Sequence, residues 1–260
     1  MVTKSSGIES IDASSGAKTP SPENTVGSER KMFEVRNLSS AYGQSEVLHG
    51  IDLSVGQGEI VALVGRNGMG KSTLMKSLIG VMPTRSGQIM VDGNDITTLA
   101  THQRVARGLA YVPQGRQIFG TMTVKENIET GLVVTGKKEV PREIYDLFPI
   151  LADFEKRRGG NLSGGQQQQL AIARALASDP KVLLLDEPTE GIQPSIIKDI
   201  ARLLRDIRSV RNLCIVVCEQ LLSFVLDIAD RILVMEGGRI VHTDSREHVD
   251  EAAIVRFLAV

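Results

Sequence analysis

A glycine-rich run between an apolar segment and a helical segment is the feature that most constrains this chain. Residues 59–64 predict a buried strand, and residues 72–81 predict a helix. The run between them consists of Gly65, Arg66, Asn67, Gly68, Met69, Gly70, Lys71, Ser72 and Thr73. Because glycines let the backbone approach closely, a strand, a glycine loop and a helix in this order predict a cradle for nucleotide phosphates.

Each part of this run answers a requirement of a bound triphosphate. Backbone N–H groups at a helix N-terminus favour anions, since the helix dipole places partial positive charge there. Lys71 adds a charged donor for the outer phosphates, and Ser72 offers a hydroxyl to Mg²⁺. Glycines alone would indicate a simple turn, but Gly-Lys-Ser-Thr behind a strand favours ATP and Mg²⁺ as cofactors.

A second apolar segment, over 182–185, ends in two adjacent carboxylates, Asp186 and Glu187. Open parallel sheets bind ligands at the carboxyl ends of their strands, so these side chains should lie beside the glycine loop. We expect Asp186 to hold Mg²⁺ through water and Glu187 to orient or deprotonate the attacking water. Without the preceding phosphate motif, the same two carboxylates would indicate a solvated strand end equally well.

A third motif lies between the other two along the chain and predicts a second anion site. Ser163, Gly164, Gly165 and Gln166 follow Leu162 and open a helix. One chain cannot easily direct both helix N-termini at one γ-phosphate, whereas two chains facing head to tail can. ATP would then join a dimer. A helix capped by Ser163 would explain the helix start but not the run of four glutamines.

The rest of the chain alternates strands and helices, which predicts a parallel sheet covered on both faces. Residues 1–31 are polar and predict a disordered tail. In the mainly helical segment 119–178, Thr123 and Glu126 have the form of a capping box. Further strands are expected at 33–35, 47–53, 87–91, 213–217, 232–235 and 239–241, helices at 142–151, 194–207 and 221–229, and a loop at 93–95.

Composition restricts the partners of the chain. Its 30 Lys and Arg residues balance 31 Asp and Glu residues, so a formal net charge of -1 gives no general attraction for nucleic acid. No apolar stretch approaches the roughly 18 residues of a membrane helix, so other chains would have to span a bilayer. Cys214 and Cys218 face the same side of a predicted strand, and we expect them to be buried and free in a reducing cytoplasm.

The three motifs in this order resemble those of ATP-binding subunits of ABC transporters, over residues 32–260. The resemblance implies an α/β P-loop NTPase cassette with a RecA-like core, an antiparallel β subdomain and a helical subdomain. The glutamine repeat and the Glu-Gly-Ile-Gln-Pro run at 190–194 look most like the branch that serves branched-chain amino acids, amides and urea, and within it like urea transporters.

The resemblance also assigns roles to single residues. Tyr42 matches the aromatic residue that stacks on adenine, and Gln114 matches the residue that contacts Mg²⁺ and water. Gln220 stands where many cassettes have a switch histidine, and Gln193 stands where they have an aspartate that contacts the partner cassette. Glutamine can hydrogen-bond a γ-phosphate but carries no positive charge, which leaves the rate of hydrolysis open.

These features imply a motor subunit on the cytoplasmic face of the inner membrane. Its partners would be transmembrane permease subunits and a second copy or a sister ATP-binding subunit, with a periplasmic solute-binding protein contacting it only indirectly. The expected cargo is urea, and a branched-chain amino acid or short-chain amide is the alternative. A nucleotide-dependent clamp with little turnover is a further alternative. Chromosome-maintenance ATPases are excluded, because only short helices are predicted between Lys71 and Ser163.

Overall fold

The computed structural model describes residues 31–258. The predicted disordered tail lies outside the described residues, except for Lys31, which begins the first strand instead of ending the tail. The strands are β1 (Lys31–Tyr42), β2 (Ser45–Gly56), β3 (Ile60–Val64), β4 (Thr84–Val91), β5 (Asn94–Asp95), β6 (Leu109–Val112), β7 (Val182–Asp186), β8 (Cys214–Glu219), β9 (Arg231–Glu236) and β10 (Arg239–Ser245). The helices are α1 (Lys71–Ile79), α2 (Thr101–Ala106), α3 (Val124–Glu129), α4 (Arg142–Leu147), α5 (Pro149–Asp153), α6 (Gly164–Leu176), α7 (Pro194–Arg211), α8 (Leu222–Ile228) and α9 (Glu251–Leu258).

The larger sheet contains six strands in the order β10-β9-β3-β8-β7-β6. The five strands from β9 to β6 pair in parallel, which confirms the predicted parallel sheet, whereas β10 pairs antiparallel with β9. That edge hairpin forms because Gly237 and Gly238, at φ values of 51° and 73°, make a two-residue turn. Every residue of β3, β7 and β8 is buried, as expected for strands covered on both faces.

A smaller antiparallel sheet has the strand order β2-β1-β4-β5. Its strands β1 and β2 extend over 12 residues each and are longer than predicted. The loop expected at 93–95 includes β5, which pairs with the end of β4. Apolar residues of this sheet, such as Phe33 and Ile51, pack in one buried cluster with Leu63 of β3 and Leu74 of α1. The glycine loop between β3 and α1 is therefore supported by both sheets.

The segment predicted to be mainly helical contains α3, α4, α5 and α6. The predicted capping box is confirmed at α3, where Glu126 N–H donates to Thr123 Oγ1 (3.2 Å) and Thr123 N–H donates to Glu126 Oε2 (2.7 Å). The prediction of one helix over 142–151 is wrong, because the chain forms α4 and α5 instead. Pro149 disfavours helical angles at the preceding Phe148, which adopts φ −128° and ψ 68°.

Besides β5, the elements α2, β6 and α9 lie in segments for which neither helix nor strand is predicted. β6 matters most for the site, because its parallel pairing with β7 places the residues that follow it next to Asp186. Cys214 and Cys218 are buried in one cluster and unpaired, as predicted. Within residues 31–258, no helix is both long enough and apolar enough to cross a membrane.

Candidate nucleotide-binding and catalytic site

The glycine loop joins β3 to α1, and its shape requires glycine at three positions. Gly68 and Gly70 have φ values of 80° and 104°, which side chains rarely permit. Gly65 is required by space, because a Cβ there would lie 2.4 Å from the carbonyl oxygen of Met235. Gly70 caps α1 without any side-chain hydrogen bond, so the positive end of this helix dipole lacks an internal anionic or polar cap.

Lys71 is buried, with 4 % of its surface exposed, despite its charge. Its Nζ donates to the carbonyl oxygens of Gly65 (2.6 Å) and Arg66 (2.9 Å), which hold the ammonium group within the loop. An adjoining cavity of about 240 Å³ is lined by Asn67, Gly68, Gly70, Lys71, Ser72, Thr73, Gln114 and Glu187. A helix N-terminus, an ammonium group and two hydroxyls in one cavity fit the phosphates of a nucleotide.

Asp186 ends β7 and meets the first turn of α1. Ser72 Oγ donates to Asp186 Oδ1 (3.1 Å), and the Tyr111 hydroxyl donates to Asp186 Oδ2 (3.2 Å). Burial raises the pKa of Asp186, and the two hydrogen bonds only partly oppose this effect. A nearby cation would favour the ionised carboxylate, and Mg²⁺ prefers oxygen ligands such as these. Ser72 and Asp186 therefore fit the predicted metal.

Glu187 is held between two glutamines. Gln114 Nε2 donates to Glu187 Oε2 (3.0 Å), and Gln220 Nε2 donates to Glu187 Oε1 (2.6 Å). Gln220 Nε2 also donates to Asn67 Oδ1 (2.7 Å), which connects it to the phosphate loop. The chain turns sharply at Glu187, which adopts a φ of 48° and donates its N–H to the Cys218 carbonyl oxygen (2.9 Å). The three residues predicted to act in catalysis thus meet at one carboxylate.

The motif predicted to form the second anion site begins α6. Gln166 N–H donates to Ser163 Oγ (3.4 Å), and Ser163 N–H donates to Gln166 Oε1 (3.0 Å), so the two residues form a capping box. Gln167 Nε2 donates to the carbonyl oxygens of Gly159 and Leu162. The capped helix therefore accounts for two of the four glutamines, because Gln166 and Gln167 stabilise the helix start.

The start of α6 does not line the cavity that contains Lys71. Gly164 lies near Arg116, whose guanidinium would be 3.5 Å from an added Cβ. Gly165 packs closely on α7, where a Cβ would lie 2.3 Å from a side-chain carbon of Ile196. Within one chain, the two predicted anion sites are therefore separate.

The remaining predicted binding residues have different surroundings. Tyr42 ends β1 with 54 % of its surface exposed, so its ring is accessible, but it does not line the cavity. Arg66 Nε donates to the Phe257 carbonyl oxygen of α9 (3.2 Å), and Met69 Sδ accepts the N–H of Gly237 (3.4 Å). The side chains of Arg66 and Met69 thus contact the C-terminal part of the chain.

Two side chains of this site are not predicted from the sequence. Tyr111 contacts Asp186, and burial, with a contribution from Asp186, raises its pKa, so the hydroxyl stays protonated and donates. Glu219 is buried at the end of β8 and accepts hydrogen bonds from the loop after β7. Its sequence signal is a carboxylate at the end of an apolar strand, directly before Gln220.

The fold and the site define a P-loop nucleotide-binding protein, with strand-end carboxylates next to its phosphate loop. Residues 48–190 match the family model described as ABC transporter, and the chain belongs to this family. It is 39 % identical over 217 residues to the high-affinity branched-chain amino acid transport ATP-binding protein BraG of Pseudomonas aeruginosa, covering 82 % of this chain and 93 % of BraG. It is 37 % identical over 212 residues to the probable branched-chain amino acid transport ATP-binding protein LivF of Archaeoglobus fulgidus, covering 80 % of this chain and 90 % of LivF.

A solved structure of an ATP-binding cassette has a similar fold. The crystal structure of the ADP conformation of MJ1267, an ATP-binding cassette of an ABC transporter, matches with a TM-score of 0.75 and 26 % identity, over 88 % of this chain and 94 % of that one. These similarities confirm the predicted class, an ABC transporter ATP-binding subunit with a P-loop NTPase fold. BraG and LivF are named for branched-chain amino acids, and neither is named for urea.

Proposed function

We propose that this chain is the ATP-hydrolysing motor subunit of a membrane importer. The observation that carries the proposal is the position of Glu187, held by Gln114 and Gln220 beside the phosphate loop. From there the carboxylate can orient a water, or accept its proton, as the water attacks a γ-phosphate. When bound at Ser72 and Asp186, Mg²⁺ would neutralise charge on the phosphates.

A second cassette completes the site in this proposal. Ser163 and the N–H groups of Gly164 and Gly165 would bind the γ-phosphate held by the facing chain, which is either a second copy or a sister ATP-binding subunit. The separation of the start of α6 from its own chain's cavity supports this arrangement. Closure of the pair would pull on transmembrane permease subunits, and a periplasmic solute-binding protein would contact only those subunits.

We propose a single-cassette organisation for the chain. Residues 32–260 would form one cassette, with its helical subdomain at about 119–178, behind an N-terminal tail. The cassette would work at the cytoplasmic face of the inner membrane and without nucleic acid.

We propose urea as the cargo, because the glutamine repeat and the run at 190–194 resemble urea transporters. A branched-chain amino acid is the second candidate, favoured by the similarity to BraG and LivF, and a short-chain amide is related to both. A clamp with little turnover is the remaining alternative, because Gln220 has no imidazole. Cargo would be selected by the other subunits.

The test is to purify the native membrane complex, identify its subunits, and measure its ATPase rate in liposomes with urea, leucine or acetamide. We expect permease subunits to co-purify and urea to stimulate hydrolysis. The matched control is a complex that carries Lys71→Ala, which should not respond. If leucine alone stimulates hydrolysis, a branched-chain amino acid replaces urea as the proposed cargo. A complex that lacks permease subunits would contradict the proposal that the chain belongs to an importer.

A further inference from the structure

We propose that Glu219 is a positioning residue, which joins the loop after β7 to the loop after β8 and thereby orients Glu187. The inference rests on the catalytic roles proposed above for Glu187 and Gln220. Glu219 itself has no part in those proposed roles.

Glu219 is the last residue of β8, and only 3 % of its surface is exposed. Its Oε1 accepts the N–H (2.9 Å) and the hydroxyl (2.5 Å) of Thr189. Its Oε2 accepts the N–H groups of Gln220 (2.8 Å) and Leu221 (3.2 Å). Each carboxylate oxygen is therefore bonded to a different loop.

Only a carboxylate suits this place. A buried carboxylate is costly unless its oxygens are hydrogen-bonded, and here four donors surround Glu219. A glutamine would fit the space, but its amide would direct N–H groups toward the donors of one loop. That loop would lose its acceptor and shift, while the other kept its bonds.

These bonds close a ring around the catalytic carboxylate. Thr189 follows Glu187 by two residues, and Glu219 binds Thr189 and then the backbone of Gln220. The side chain of Gln220 returns to Glu187 Oε1, which completes the ring. A displacement of either loop therefore moves the carboxylate, and a misplacement of about 1 Å can cost about 10²-fold in rate.

The experiment compares Glu219→Gln and Thr189→Val with the full-length wild type. For Glu219→Gln we expect kcat to fall about 10- to 100-fold. The Kd for MgATP from calorimetry should change less than about twofold, because Lys71 and the N–H groups at the start of α1, which would hold the phosphates, make no hydrogen bond with Glu219. Thr189→Val removes one of the four bonds and should lower kcat less. In the nucleotide-free protein, amide hydrogen exchange should accelerate at 187–192 and 219–222 in the Glu219 variant.

Asp230→Asn is the matched control. Asp230 Oδ2 also joins two segments, because it accepts the Ile60 N–H (2.8 Å) and Arg208 (2.7 Å), but it lies at the amino-terminal ends of β3 and β9. This variant should lose stability and keep its kcat. If it loses as much kcat as Glu219→Gln, general destabilisation explains both, and the inference is overturned.

The double variant Glu219→Gln/Thr189→Val separates coupling from two independent effects. Because both changes break one connection, its loss of kcat should be smaller than the product of the single losses. The inference is overturned if the losses of kcat in the double variant simply multiply, or if both single variants keep a normal kcat. It is also overturned if the affinity of Glu219→Gln for MgATP falls as much as its kcat. Normal turnover of Glu187→Gln would instead overturn the role proposed for Glu187, and a wild type without ATPase activity would overturn the proposed function, so these failures are distinguishable. If Glu219→Gln does not fold, a normal kcat for Thr189→Val alone overturns the inference.

Discussion

The starts of α1 and α6 show that one local signal can produce two different kinds of site. Both are helix N-termini that carry glycines, and both are predicted to bind phosphate. At α1, Gly70 supplies no cap, and Gln114 and Glu187 from two other segments line the same cavity. At α6, Ser163 and Gln166 satisfy each other within the chain. The first site is assembled by its own chain, whereas the second, in our proposal, would require a facing chain.

The capping box at α6 does not prevent phosphate binding. Ser163 Oγ uses an acceptor lone pair for the cap, so the hydroxyl proton is still available to a phosphate oxygen. The hydrogen bond from Gln166 N–H to Ser163 Oγ is also long, at 3.4 Å. The other bond of the capping box, from Ser163 N–H to Gln166 Oε1, is shorter, at 3.0 Å, and does not involve the hydroxyl.

The largest effect is expected for Glu187→Gln, because it removes the proposed general base of the site at α1. Turnover should fall by about 10² to 10⁴, while MgATP binding persists and the ATP-bound dimer accumulates. Single-turnover kinetics and size-exclusion chromatography measure both effects. The control is Glu236→Gln, which changes an exposed carboxylate at the end of β9. A wild-type rate in Glu187→Gln would show that another group activates the water.

Lys71→Ala should weaken MgATP binding about 10- to 100-fold, since a hydrogen bond to a charged group contributes roughly 1.5–3 kcal/mol. Titration calorimetry on the isolated protein measures the affinity directly. Lys76→Ala alters an exposed lysine of the same helix and should bind normally. Equal affinities for Lys71→Ala and wild type would remove the phosphate-loop assignment.

Ser163→Asp distinguishes helix capping from nucleotide binding at the start of α6. Aspartate caps as well as serine, so the free energy of unfolding should change by about 0.5 kcal/mol or less. Its charge would oppose the γ-phosphate of the facing chain, so ATP-dependent dimerisation in a Glu187→Gln background should disappear. Thr123→Asp makes the same change at the capping box of α3. If dimers persist with Ser163→Asp, the start of α6 lies outside the interface.

The smallest effect is expected for Gln220→His in the isolated protein. An imidazole can carry charge and transfer a proton, so we expect a several-fold faster steady-state rate. We also expect the wild-type complex with a sister cassette that retains the histidine to hydrolyse ATP faster than the isolated chain. Steady-state rates of the isolated wild type, the Gln220→His variant and the complex are measured at the same MgATP concentration. If the isolated wild type already matches the complex, the absence of an imidazole at Gln220 does not limit the rate.

Elements with a strong local signal were predictable, and those without one were not. β3, β7 and β8 are apolar runs, and the capping box at Thr123 has a local sequence pattern, so these elements are confirmed, although β8 continues two residues beyond the predicted 213–217. β6 has four residues and α2 has six, too few for a periodic pattern to stand out. Pro149 does carry a signal for the break between α4 and α5, because proline constrains the residue before it.

Gln193 illustrates a departure from the family pattern with a structural consequence. It is exposed at the N-cap of α7, where its side chain makes no cap hydrogen bond, and Pro194 begins the helix. The aspartate of related cassettes would be a better N-cap residue than glutamine. The sequence identifies this difference, but the missing cap bond is visible only in the folded chain.

The sequence alone predicts which residues could contact phosphate, metal and water, because the motifs of Lys71, Asp186 and Ser163 are local and each follows from the chemistry of a triphosphate. The tertiary structure decided which of them meet. Glu187 receives hydrogen bonds from Gln220, 33 residues away, and from Gln114, 73 residues away. These contacts depend on the strand order β3-β8-β7-β6, which brings the carboxyl ends of four parallel strands to one edge. Local periodicity encodes the strands but not their order, since the order results from long-range packing.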